Sequence, residues 1–394
     1  MLKEIEKFSP AVRNFLIATF LMGLSNGMFD AVYNFYLEIR GIDKSDTGHI
    51  YAIAMIMMAA AVVPLIYLSK KVSQKSLLIY SSFIYAFPFI LLPFLTTITA
   101  SALTLGVILS GMIALLSLGN SLVGSNVEAS SRTALFSYFF ISYLGAAMVG
   151  SVIVSLITYY SHAANLVNYQ FILVASFFSA ILMIYFRLRS LDGIVEPDKE
   201  GIKVSRGMET EWFNFFVLFV ASSLLGGSIT LIFRFINIVF NLAYSMNVSE
   251  ISLIMGGDKV ISIVGAIFAP LLVKRFSLKP TVIIAGVLTF ICIYAQSLHV
   301  SVAVFIALYF IRLLLNYCLM PLLDTLAITG FAKESTLLST SIRQLSFYLG
   351  SALSAVIYGK ILDSGHWENA LVISAVLALT GSLFMTMIRV KNSN

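Results

Sequence analysis

The chain of 394 residues is 59% hydrophobic and only 11% charged, with a mean hydropathy of +0.95. A soluble domain carries about 25% charged residues, so this composition excludes a water-bounded core and makes lipid the solvent for most of the surface. The net charge of +6 is spread over short segments between apolar runs, which argues for membrane orientation and no nucleic-acid partner.

A spanning helix needs about 20 apolar residues. Runs bounded by polar or Gly/Pro punctuation predict twelve, over 14–38, 47–69, 77–97, 101–125, 135–159, 168–187, 212–241, 249–272, 281–298, 301–326, 340–360 and 369–388. The runs are continuous, unlike the alternating ten-residue segments of a membrane barrel. The lead-in MLKEIEKFSPAVR is charged and opens a run too long for a cleaved signal peptide.

Span 1 contains SNGMFDAVYN, in which Asn26, Asp30 and Asn34 recur every four residues and share a helix face, with Tyr33 beside them. A carboxylate at that depth costs about 2.5–3.5 kcal/mol on insertion scales, so Asp30 is expected to face the bundle interior or water. The segment 188–211, with mixed charges and Pro197, reads as a linker between an N-terminal bundle, 1–187, and a C-terminal bundle, 212–394. Span 7 carries its own stripe of Thr230, Arg234, Asn237 and Asn241. Span 8 has Asp258 beside Lys259, and span 10 has Arg312, Asn316 and, near its end, Asp324. Counted from the outer ends, Asp30, Arg234, Asp258 and Arg312 lie about 10–15 Å deep at 1.5 Å per residue, which points to one polar site. Asp258 could instead neutralise Lys259 locally, and Asp324 is expected to be a salt-bridge partner. Single Asn and Ser residues in spans ordinarily bond a neighbouring helix for about 0.6 kcal/mol, and the Phe and Tyr residues beside the stripes are expected to be packing.

With the N-terminus inside, eighteen of the 25 Lys and Arg residues fall on the cytoplasmic side and three outside, so both termini are expected in the cytoplasm. Sliding the chain by 204 residues lays KKVSQKS (70–76) on KRFSLKP (274–280) and IDKSDTG (42–48) on MNVSEIS (246–252). SYLGAAMVGSVI (142–153) matches FYLGSALSAVI (347–357) one residue off that register. The same shift pairs Asp30 with Arg234 and Asn26 with Thr230. The expected fold is therefore all-α and integral to the membrane, with twelve transmembrane helices in two pseudo-symmetric six-helix bundles.

The parallel six-plus-six repeat, the central linker and the basic loops after spans 2 and 8 resemble the major facilitator superfamily over nearly the whole chain. The family signature after span 2, G-x-L-x-D-R-x-G-R-K, meets IYLSKKVSQK at 66–75 here: Lys71 and Lys75 keep basic positions, while Lys70 replaces the acidic residue. Span 5 has GAAMVG at 145–150, the glycines of an antiporter motif without its proline. The resemblance implies alternating access, with Lys71, Lys75, Arg275 and Lys279 in cytoplasmic gating loops. It also implies a central cavity lined by spans 1 and 7.

The function expected is secondary active transport of a small molecule, with proton coupling through Asp30 and efflux of amphipathic, drug-like compounds preferred. The substrate cavity is expected to use Asn26, Tyr33, Asn34, Thr230, Arg234, Asn237, Asp258, Arg312 and Asn316. A carrier for a small organic anion or metabolite is the alternative, since three deep basic groups outnumber two acidic ones; a lipid flippase on the same scaffold is another. No Walker A loop is present. Cys292 and Cys318 lie in apolar runs, and no His cluster has metal-ligand spacing. An enzyme, a cofactor and a metal are accordingly not expected. A monomer in the cell membrane is.

Overall fold

The structure, a computed structural model, describes residues 8–125, 129–161, 165–192, 211–331 and 336–389. Most of the expected linker, residues 193–210, lies outside the described residues.

The first bundle supplies α1 (Pro10–Ile39), α2 (Lys44–Lys71), α3 (Gln74–Phe94), α4 (Ile98–Ser125), α5 (Ala129–Tyr160) and α6 (Leu166–Leu191). The second supplies α7 (Trp212–Tyr244), α8 (Val248–Phe276), α9 (Leu278–Gln296), α10 (Val302–Thr329), α11 (Thr336–Asp363) and α12 (Trp367–Thr386). Among the described residues, eleven helices are long and apolar enough to cross a membrane. The twelfth, α8, carries Glu250, Asp258 and Lys259 in its first half.

Among the described residues, two helices depart from uniform α geometry. α3 tightens into 3-10 turns over Phe87–Ile90 and Leu92–Phe94. Pro88 and Pro93 lie in these turns, and neither can donate a helical hydrogen bond. α7 runs as an α-helix to Thr230, opens into a π-helical turn over Leu231–Phe235, and resumes at Ile236. α6 continues a turn beyond the expected residue 187, to a buried Leu191.

By contact, the chain divides into two compact units, one of Met1–Ile42, Ala60–Glu200 and Asn247–Val260, the other of Asp43–Ala59, Gly201–Met246 and Ile261–Asn394. In the first, α1 crosses α5 without a side chain between them. A Cβ on Gly23 would stand 2.1 Å from the Tyr143 carbonyl oxygen, and one on Gly27 2.1 Å from that of Ala147. Ser25 Oγ then donates to the Ser176 carbonyl of α6 at 2.9 Å. Ser155 and Ser249 hydroxyls meet at 3.0 Å, tying the start of α8 to α5.

The second unit repeats these devices. A Cβ on Gly226 would stand 2.0 Å from the Phe347 carbonyl oxygen of α11, and Ser228 Oγ donates to the Ser374 carbonyl of α12 at 2.7 Å. The start of α2 packs on α11, where a Cβ on Gly48 would lie 2.5 Å from the Ala355 carbonyl oxygen. Small residues that let backbones approach are the main means of helix association where lipid supplies no hydrophobic drive.

The repeat register can be followed residue by residue. Gly23 and Gly226 stand 203 residues apart, as do Ser25 and Ser228. Beyond the π turn the offset is 204. Asp43 Oδ1 accepts from the Asp46 backbone N–H, and Asn247 Oδ1 from that of Glu250, so the two residues cap α2 and α8 alike. The single surplus residue of the π turn accounts for the change of offset. Thr230 therefore corresponds to Gly27 in the packing, and not to Asn26 as the uniform 204-residue shift pairs them.

Candidate substrate and coupling site

α1 is held by glycine crossings and serine bonds on its packed side, and Asp30 lies just beyond them. Its Oδ2 accepts from Asn26 Nδ2 at 2.7 Å. Asp30 is partly exposed, whereas Phe29 and Ala31 are 1% and 0% exposed and every residue from 31 to 37 is buried. It is thus the last accessible position along the span before a closed stretch. That stretch is aromatic: Tyr33 lies tilted against Phe29 at 4.6 Å and stacks with Tyr36 at 6.5 Å between ring centroids. Tyr33 and Asn34 of the expected stripe are buried there.

α7 shows the same boundary. Phe233 and Arg234 are accessible, and residues 235 to 240 are all buried. Arg234, within the π turn, lies with its guanidinium carbon 5.5 Å from the centre of the Tyr51 ring, and Tyr51 in turn packs edge-on against Phe235. A cation over an aromatic face gains about 0.5–2 kcal/mol, depending on desolvation. Thr230 is buried and donates to the Gly226 carbonyl of its own helix at 2.8 Å. Asn237 is buried too, its Oδ1 accepting from the Ile238 N–H at 2.9 Å.

The remaining deep charges have local settings. Asp258 and Lys259 form an ion pair at 2.9 Å, in line with the local-neutralisation alternative. Arg312 is 0% exposed, and its Nη1 donates to Gln296 Oε1 at 3.0 Å. Its Nε and Nη2 have no hydrogen-bond acceptor among the described residues. Asn316, a turn further on, is buried. Asp324 pairs with Arg343, as its place near the end of span 10 implies.

At the basic loops, Lys71 Nζ lies 4.5 Å from the centre of the Tyr67 ring. Lys75, in the first turn of α3, lines a groove with Arg189 of α6. Lys279 is half-buried at the start of α9, and the Arg275 side chain lies outside the described residues.

Three contributors escape a reading of sequence alone. Gln296 is a lone amide closing an apolar helix, a signal that a polar group elsewhere needs it. Tyr51 carries no such mark. Arg187 sits where cytoplasmic loop charges are expected but is 1% exposed, its guanidinium carbon 4.1 Å from the centre of the Phe15 ring. Among the described residues no cluster of His, Cys, Asp or Glu could hold a metal ion.

Comparison with known proteins agrees with this architecture. The family model described as Major Facilitator Superfamily matches residues 15–243 and 212–393. No curated protein sequence matches the chain. Among solved structures, the nucleoside transporter NupG is similar at a TM-score of 0.74 and 15% identity, covering 97% of this chain and 100% of that one. A bacterial homolog of the human lysosomal transporter Spinster, in an inward-facing and occupied conformation, is similar at 0.76 and 10% identity over 96% of each chain. A D-xylose–proton symporter is similar at 0.72 and 12% identity over 95% of each. With the family model matched in both halves, each carrying the same glycine and serine helix contacts, this chain belongs to the Major Facilitator Superfamily and is a multi-pass membrane transporter, not an enzyme.

Proposed function

We propose that the protein is a proton-coupled secondary transporter exporting amphipathic, drug-like compounds, with Asp30 as the proton-carrying group. The observation that carries this reading is the position of Asp30 at the end of the accessible part of α1, where the span passes into a closed aromatic stretch. Arg234, at the corresponding boundary of α7, is the proposed basic counterpart. A cationic amphiphile would compete with the proton for the Asp30 carboxylate, which couples outward substrate movement to inward proton movement. A D-xylose–proton symporter of similar fold supports proton coupling as part of this reading. The test is transport in proteoliposomes under an imposed pH gradient. Asp30→Asn is expected to abolish gradient-driven transport without lowering the unfolding midpoint.

A second reading, a carrier for a small organic anion, is favoured by Arg312. Its guanidinium has two N–H-bearing nitrogens without acceptors among the described residues at a fully buried position, and a substrate carboxylate or phosphate would satisfy them. Thermal stabilisation of the purified protein separates the two: lipophilic cations raise the midpoint under the first reading, small carboxylates under the second.

A further inference from the structure

The first unit contains a groove of about 470 Å³ where the start of α3 meets the end of α6, lined by Lys75, Ile79, Leu188, Arg189, Leu191 and Asp192. Its size falls within the range of small-ligand sites. Its lining is amphipathic, with two cations, one carboxylate and three aliphatic side chains. The formal balance of the lining is one positive charge, which a monoanionic group neutralises. Lys75 stands in the first turn of α3, where Ser73 caps the helix by accepting from the Ser76 N–H, and the helix dipole adds positive potential there.

Two exposed tyrosines fix the level of the groove. Tyr80, next to Ile79, is 61% exposed, and Tyr185, one turn before Arg189, is 48% exposed. The Arg189 guanidinium carbon lies 5.1 Å from the centre of the Tyr185 ring. Exposed tyrosines beside basic residues at helix ends mark the lipid headgroup region. Leu188, 43% exposed on the same helix end, offers an apolar edge of the kind acyl chains cover.

We propose that this groove holds the headgroup of a monoanionic phospholipid, its phosphate engaged by Lys75 and Arg189 and its glycerol backbone resting on Ile79 and Leu188. The occupant is a lipid and not free phosphate, because the aliphatic half of the lining has no use in binding an inorganic ion. Basic pockets between transmembrane helices recognise headgroups through this combination of charge and apolar edge.

The experiment uses full-length protein in phosphatidylcholine nanodiscs with increasing phosphatidylglycerol, reading the thermal unfolding midpoint; inorganic phosphate is the comparison probe. The midpoint is expected to rise and saturate with phosphatidylglycerol and not with phosphate. Lys75→Gln and Arg189→Gln should each raise the half-saturating mole fraction roughly five-fold. Asp192→Asn should lower it, an effect of opposite sign that a merely misfolded variant would not give. Unchanged saturation in both glutamine variants, a higher half-saturation in Asp192→Asn, or equal stabilisation by inorganic phosphate would each overturn the assignment.

Discussion

Span 1 and span 7 begin alike. Each lays a glycine on the backbone of the fifth helix of its half and a serine on a carbonyl of the sixth, in the same relative positions. Each also ends its accessible stretch at a charged residue, Asp30 or Arg234, and continues into a buried run. They diverge at one feature. α1 stays α-helical, whereas α7 inserts a surplus residue as a π turn, and that turn carries Arg234. Between these two spans the packing contacts are kept and the backbone differs where the charge sits. π turns inside α-helices are frequent at functional sites.

The strongest way to break this comparison is to make the two spans the same. Deleting Ile232 would remove the surplus residue and return the offset to 203 throughout. The glycine and serine contacts precede the turn, so the protein should still fold, with an unfolding midpoint at or above that of the parent. Arg234 would swing by about 100°, and transport in proteoliposomes should be lost. Retained transport would show that the π turn is incidental.

Next come the crossings. Gly226→Ala and Gly23→Ala each force a methyl group into a backbone carbonyl and should destabilise by about 3 kcal/mol, by the same amount in both halves. At Gly145 no atom of the described residues lies within 4 Å of where a Cβ would stand, so Gly145→Ala should stay within about 0.5 kcal/mol of the parent. Thermal unfolding of the three variants in one detergent checks the contrast.

A smaller effect is expected in the second half at Gln296. Gln296→Leu would remove the amide that Arg312 bonds and leave a buried cation without it, at a cost of about 2 kcal/mol. Arg312→Met, which removes the charge itself, should be milder. Smallest are the serine ties. Ser25→Ala and Ser228→Ala should each cost about 0.6 kcal/mol, equal within error if the halves are packed alike.

How much of this was legible in sequence depends on the length scale. The twelve apolar runs, the basic loops and the 204-residue repeat are properties of whole segments, and all are visible in KKVSQKS, KRFSLKP and their surroundings. The π turn is not, because a matched register on either side of Leu231–Phe235 conceals a single inserted residue. The one-residue slip between SYLGAAMVGSVI and FYLGSALSAVI was a trace of imperfect register, on another helix. Pro88 and Pro93 could have announced the tightened end of α3. At the candidate site, the stripe rule put Asn26 and Asp30 together, and adjacency foreshadowed Asp258 with Lys259. Contacts between distant segments, Arg312 with Gln296 and Arg234 with Tyr51, follow from helix packing that periodicity does not encode.

The central claim is that Asp30 carries the proton, and its direct test is Asp30→Asn in proteoliposomes with a pH-sensitive dye enclosed. The account predicts that substrate addition dissipates the pH gradient in the parent and leaves it intact in the variant, with the unfolding midpoint preserved. Substrate-dependent dissipation of the gradient by Asp30→Asn at the parental rate would contradict it.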